Sequence, residues 1–226
     1  LRAMLHGYDT VYSRSQDDFA LDGTVVKALD VTKERNGDTY TFTLAPGLTY
    51  NEGTPITAAD YVFSLLLHSS PAVADLGGVN SIYSHVAGWE AYAAGTSATF
   101  SGVRLIDAHR FSVTVMREDA PCYYGLAAVR IRPCPIRVIA PGYAVGNGEE
   151  GSFLYSAGDP AQKPLQLSAA LLQETLTNDD GYLHQPKVTC GPYQLVAYDA
   201  ANSMVELQVN PAYLGNAEGR KPSIRR

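Results

Sequence analysis

From Tyr40 to Leu44 apolar and hydroxylated residues alternate, with Tyr40, Phe42 and Leu44 on one side and Thr39, Thr41 and Thr43 on the other. A period of two marks a strand with one face on a core. A second strand-like run precedes it, and Asn36-Gly37 lies between them. That pair favours the two positive φ angles of a type I′ turn, so the pattern predicts a hairpin over residues 25–44. Pro46-Gly47 and Gly53-Thr54-Pro55 then turn the chain twice. Beyond them the period lengthens: Val62, Leu65, Leu66 and Ser69 line one side, and Phe63 and Leu67 widen the stripe. Thr57 is the expected N-cap of this helix. Asp60, three residues on, is placed to accept from the Thr57 backbone amide as a shortened capping box, and Pro71 ends the helix.

Residues 81–94 carry Ile82, His85, Val86 and Trp89 at spacings of three and four, which predicts a second helix with Gly95 as the left-handed residue beyond its end. Runs at 102–106 and 111–115 flank Asp107-Ala108-His109-Arg110 and predict a second hairpin, with Val103, Leu105, Phe111, Val113 and Val115 facing inward. Dense proline and glycine from 133 to 164 predict a long surface excursion or a boundary between substructures. Ser168 caps a short helix reaching Leu176, and residues 194–198 and 204–209 predict a third hairpin around a turn at 199–203.

Composition changes this picture little. A chain of 226 residues can bury roughly 70% of its unfolded surface, and 46% apolar against 18% charged residues predicts a folded core. Seventeen basic and 23 acidic residues give a net charge of -6, which withdraws electrostatic support for nucleic-acid binding. The basic cluster Arg220, Lys221, Arg225 and Arg226 reads as a frayed end. No apolar run approaches the ~20 residues of a membrane helix, and no signal peptide is visible. The opening Leu1-Arg2-Ala3-Met4-Leu5 fits a processed or truncated chain. Cys122, Cys134 and Cys190 form no zinc pattern; Cys122 and Cys134 either pair in an exported chain or stand as buried thiols. Fifteen tyrosines against one tryptophan suit a wet cleft, with scattered packing as the default.

Candidate chemistry is sparse. His6, His68, His85, His109 and His184 are scattered without metal-ligand spacing, so no metal is expected. Gly146-Asn147-Gly148-Glu149-Glu150-Gly151 imitates a dinucleotide loop, but with no strand before it and no helix after it, the stretch reads as plain loop. The acid pairs Asp17-Asp18, Glu149-Glu150 and Asp179-Asp180 read as solvated turns; a hydrolase would need carboxylates converging from separate elements. Trp89 reads as core, with a cleft platform as the functional alternative.

Three stretches, in order, carry a resemblance. "YTFTLAPGLTYNEGTPITAADYVFS" over residues 40–64 resembles the signature of family 5 of the bacterial extracellular solute-binding proteins, the dipeptide and oligopeptide receptors of ABC importers. Residues 102–115 resemble that family's next hairpin. "CGPYQL" at 190–195, followed by "VNPAYLG" at 209–215, resembles its G-P-Y and N-P-x-Y passages. The match covers nearly the whole chain, with departures: Tyr50-Asn51-Glu52 stands for Trp-Ser-Asp, Ala45 for Arg, Cys190 for Thr or Ser, and Leu214 for Trp.

The resemblance implies a mixed α/β chain forming part of a periplasmic-binding-protein fold (class II, peptide-binding type), made of β-hairpins and short helices. Residues 1–145 would form a small substructure beside the ligand lobe, and 146–226 part of the first ligand-binding lobe. Family members are considerably longer, so the second lobe is expected to lie outside this chain. The implied role is capture of oligopeptides or dipeptides outside the membrane, by a periplasmic protein or surface lipoprotein, for an ABC permease. A nickel complex, haem or an oligosaccharide is the alternative cargo, and an acid-pair hydrolase the remote one. No cofactor, catalytic residue or nucleic-acid partner is implied. Gly191, Pro192 and Tyr193 are the first candidates for lining the cleft, because glycine permits close backbone approach and tyrosine offers a ring and a hydroxyl. Tyr50 and Trp89 are the others.

Overall fold

The protein is seen as a computed structural model that describes residues 2–15, 18–117, 125–199, 201–202 and 204–224. Helix α1 (Arg2–Leu5) leads into strands β1 (Val11–Ser15), β2 (Asp18–Leu21), β3 (Val26–Glu34) and β4 (Gly37–Leu44). Helices α2 (Ala58–Ser69), α3 (Pro71–Asp75) and α4 (Trp89–Ala93) follow, then β5 (Thr99–Phe100), β6 (Val103–Asp107) and β7 (Arg110–Met116). Next come α5 (Gly125–Ala128), α6 (Ile136–Ile139), β8 (Tyr143–Gly148) and β9 (Gly151–Ser156). Helix α7 (Ala169–Leu172) runs on as a π-helical turn (Gln173–Thr177), and the hairpin β10 (Tyr193–Asp199) and β11 (Met204–Val209) closes the order. The strands form a four-stranded antiparallel sheet in the order β3-β4-β7-β6, a three-stranded sheet β5-β9-β8, and the pairs β1-β2 and β10-β11.

Helix α2 sits at the centre. Its contacts reach β6 and β7 of the larger sheet and β8 and β9 of the smaller one. The expected apolar stripe is therefore too narrow a description: every residue from Asp60 to Leu67 is buried, as a helix covered on several sides requires. Alternation on β4 and β7 delivers Tyr40, Phe42, Leu44, Phe111, Val113 and Val115 to the same core. Phe42 and Phe111 stack at 5.1 Å, and Tyr61 of α2 stacks on Phe111 at 5.5 Å, so the helix is keyed to the sheet through one ring. On the other face Thr39 and Thr114 share a hydrogen bond of 2.9 Å between their hydroxyls. Among the described residues seven tyrosines lie in the core, namely Tyr8, Tyr40, Tyr50, Tyr61, Tyr83, Tyr92 and Tyr213, in line with scattered packing.

The hairpins over β3-β4, β6-β7 and β10-β11 form where the pattern places them. Four expectations need correction. The first turn is Arg35-Asn36, since Glu34 pairs with Gly37, and neither Asn36 nor Gly37 has a positive φ. Gly37 is needed instead for proximity: a Cβ there would stand 2.3 Å from the Val115 carbonyl oxygen on β7. The helix expected over 81–94 shrinks to α4, because Gly88 breaks the helical path at φ +80 and Val86 pairs with Val115 as a β-bridge. Gly95 is left-handed as expected, at φ +72. The 133–164 excursion, "GNGEEG" included, contains β8 and β9, joined by a Glu149-Glu150 turn with Gly148 opposite Gly151. The proposed boundary at 145/146 consequently falls inside β8 and would cut a strand pair.

Candidate functional site

The path 48–56 is a narrow loop tied across its neck, with Ile56 N–H donating to the Leu48 carbonyl at 2.8 Å and Gly53 left-handed at φ +89 near its tip. Three consecutive side chains on it take three different partners. Tyr50 points inward, 1% exposed, and its hydroxyl donates to Asp60 Oδ1 at 3.1 Å. Asn51 reaches the chain entering β10: its side chain accepts from Thr189 N–H at 2.9 Å and donates to the Lys187 carbonyl at 3.0 Å. Glu52 forms an ion pair with Arg137 of α6. Asp60 Oδ2 accepts from the Thr57 backbone N–H at 2.8 Å, which is the capping arrangement expected. Burial pushes the Asp60 carboxyl up, against the pull of these donors, and pushes the Tyr50 phenol well up.

The segment 190–193 is gripped from both sides. The Gly191 N–H donates to the Leu5 carbonyl at 2.9 Å, and the Asn210 side-chain amide donates to the Gly191 carbonyl at 2.9 Å. Asn210 N–H donates to the Pro192 carbonyl, also at 2.9 Å. A Cβ on Gly191 would meet the Leu5 backbone at 2.5 Å. Close approach is thus made at Gly191, but by this chain's own N-terminal stretch. Cys190 is buried, its thiol 3.3 Å from the Gly7 carbonyl and pushed up to about 12 by burial. Next to it Tyr8 adopts φ 60, rare for a residue with a side chain. Tyr61 donates to its carbonyl at 2.9 Å, Leu214 N–H donates to its hydroxyl at 2.8 Å, and Tyr213 stacks on its ring at 5.4 Å.

The predicted site residues therefore divide. Gly191, Pro192 and Tyr193 stay together at the entry to β10, with Pro192 and Tyr193 half-buried and the Tyr193 hydroxyl donating to the Ile224 carbonyl at 3.1 Å. Tyr50 belongs to the 48–56 loop, and its side chain turns from that loop into the core, 1% exposed. Trp89 is half-buried in α4, which packs on α2 and β5, and its indole N–H donates to the Asn80 carbonyl at 2.9 Å. The structure does not bring it to the 190–193 segment.

An open groove of about 430 Å³ lies beside the end of β11, lined by Gln208, Asn210, Pro211, Tyr213, Lys221 and Pro222. Asn210 and Tyr213 belong to the N-P-x-Y passage, whereas Lys221, expected in a frayed end, lines the groove. Glu149-Glu150 is a hairpin turn, Asp179 and Asp180 lie in a turn region, and Asp17 lies outside the described residues, as does Cys122 with its suggested pairing. Among the described residues no three His, Cys, Asp or Glu side chains come together as a metal-holding group. No helix among them is long and apolar enough to cross a membrane.

Known proteins share this architecture. The family model for bacterial extracellular solute-binding proteins, family 5 Middle, matches residues 26–226. The periplasmic oligopeptide-binding protein OppA of Salmonella typhimurium is 35% identical over 181 residues, which make up 79% of this chain and 26% of that protein. This chain thus spans about a quarter of the relative's length. Haemophilus influenzae OppA, solved in complex with RPPGFSPFR, matches at a TM-score of 0.59 and 21% identity, over 93% of this chain and 33% of that one. Campylobacter jejuni NikZ, solved in complex with Ni(L-His), matches at 0.53 and 14% identity, over 92% and 31%. These structural likenesses show a shared fold, and the family match over residues 26–226 carries the assignment: the chain belongs to family 5 of the bacterial extracellular solute-binding proteins.

Proposed function

We propose that this chain is part of the solute-capturing component of an ABC importer, that its cargo is oligopeptide, and that it acts outside the cytoplasmic membrane without catalysing a reaction. The observation that carries the reading is the 35% identity to a periplasmic oligopeptide-binding protein across most of the chain. The half-buried Pro192-Tyr193 pair and the exposed Gln208 and Lys221 side chains of the neighbouring groove offer the ring surface and donors that recognition of an extended peptide uses. An ABC permease is the partner that would receive the cargo.

The test is a calorimetric titration of the 226-residue chain, and of a longer protein containing it, with a pool of di- to hexapeptides. Heat from the longer protein alone supports peptide capture by a site this chain completes only with further sequence. Heat from neither overturns the peptide reading. Native mass spectrometry of the purified protein then decides among a nickel complex, haem and an oligosaccharide.

A further inference from the structure

We propose that Asn51 is the positioning residue for the segment that carries Gly191, Pro192 and Tyr193. The inference rests on the reading of that segment as solute-lining. Four hydrogen bonds join Asn51 to this one stretch of chain. Its backbone N–H donates to the Thr189 carbonyl at 2.8 Å, and its side-chain oxygen accepts from the Thr189 N–H at 2.9 Å. Its side-chain amide donates to the Lys187 carbonyl and to Gln194 Oε1, each at 3.0 Å. The bonds bracket residues 190–193 on both sides, at Lys187 and Thr189 before them and Gln194 after.

The chemistry admits little else at this position. The Thr189 N–H can only donate and the Lys187 carbonyl can only accept, so the partner must offer one acceptor and one donor on a single short planar group. Asparagine does so, whereas aspartate places a second oxygen against the carbonyl and alanine offers nothing. The loop that holds Asn51 is itself fixed on either side, by Tyr50 on Asp60 and by Glu52 on Arg137. The clamp therefore refers the 187–194 segment to α2 and α6, and through α2 to both larger sheets.

Amide hydrogen exchange on the whole 226-residue chain tests this through two amides that Asn51 does not touch. Gly191 N–H is bonded to the Leu5 carbonyl and Asn210 N–H to the Pro192 carbonyl. In Asn51→Ala both are expected to exchange roughly 10- to 100-fold faster, while the amides of α2 keep their wild-type rates. Asn51→Asp, which keeps the acceptor for the Thr189 N–H but sets an oxygen against the Lys187 carbonyl, moves the same two amides in the same direction. Unchanged rates at Gly191 and Asn210 overturn the proposal, and so does an equal acceleration in α2, which would mean a general loss of stability. Where the wild type gives heat with peptide, Asn51→Ala weakens binding by about tenfold or more; an unchanged affinity also overturns the positioning role. Where the wild type gives none, the peptide reading fails by itself and the exchange rates still decide the role of Asn51.

Discussion

Asn51 and Thr189 bond reciprocally across 138 positions of sequence: the Asn51 N–H donates to the Thr189 carbonyl at 2.8 Å, and the Thr189 N–H donates to Asn51 Oδ1 at 2.9 Å. The pair ties one stretch by which the family is recognised to the residue just before another, so these motifs support each other in the fold. One group is left out of the arrangement. The Thr189 hydroxyl is fully buried and has no hydrogen-bond partner among the described residues.

Thr189→Val follows from that orphan. Valine keeps the branched shape, leaves both backbone bonds to Asn51 in place and removes a buried hydroxyl that gains nothing. Stability in urea is expected to rise by about 1 kcal/mol, with an unchanged m-value. A loss of that size would show that the hydroxyl has a partner after all.

Tyr50→Phe separates support from contact. The hydroxyl donates to the buried Asp60 carboxylate, which also begins α2. Its removal is expected to cost about 2 kcal/mol by thermal or urea unfolding, as for a buried hydrogen bond to a charged acceptor. Peptide affinity of the folded variant should equal that of the wild type, because the ring is 1% exposed. A selective loss of affinity at intact stability would restore Tyr50 as a ligand contact.

The sequence shows what is local and hides what is distant. The capping of α2 by Thr57 and Asp60 and the turn through Asp107 were legible because both partners lie within three residues. Asn36-Gly37 misled because Gly37 answers to Val115 on a neighbouring strand, and no turn preference records that. Residues 81–94 misled because the helical spacing of Val86 coincides with a bridge to Val115. The glycines of 146–151 looked like loop, yet a Cβ on Gly146 would stand 2.5 Å from the Phe153 ring across the hairpin. For the site, close approach at Gly191 was foreseeable, but its partner at Leu5 was not, nor was the enclosure of Tyr50.

Gly191→Ala tests that close approach directly. The added Cβ would press on the Leu5 backbone at 2.5 Å, and backbone yields less readily than a side-chain tip. A destabilisation of about 3 kcal/mol is expected, with displacement of α1 seen as faster amide exchange at its residues. Gly53→Ala is the contrast. It meets no atom within 4 Å and suffers only from φ +89, so about 1 kcal/mol is expected. Equal effects at the two positions would remove the case for a packed contact at Gly191.

Asp107 gives the fold a pH-dependent element that can be read in isolation. Its carboxylate accepts from Arg110 Nε at 2.7 Å and from the His109 N–H at 2.8 Å, closing the β6-β7 turn. The hydrogen bond from Arg110, then that from the His109 backbone, holds the carboxyl below its ordinary value of 3.8. A carboxyl whose folded-state pKa is depressed binds fewer protons folded than unfolded across that interval. Its contribution to stability is therefore complete above the unfolded value and disappears as pH falls through the lower folded one. Asp107→Asn keeps an acceptor for the His109 N–H and has no titration. At about pH 7 the wild type should melt about 1 °C above the variant, a small gap because the pair is exposed to solvent. Lowering the pH should close the gap only below about pH 4, and added salt should narrow it at neutral pH. A gap that persists unchanged into strong acid would mean that Asp107 acts in the turn through shape alone, with no charge involved.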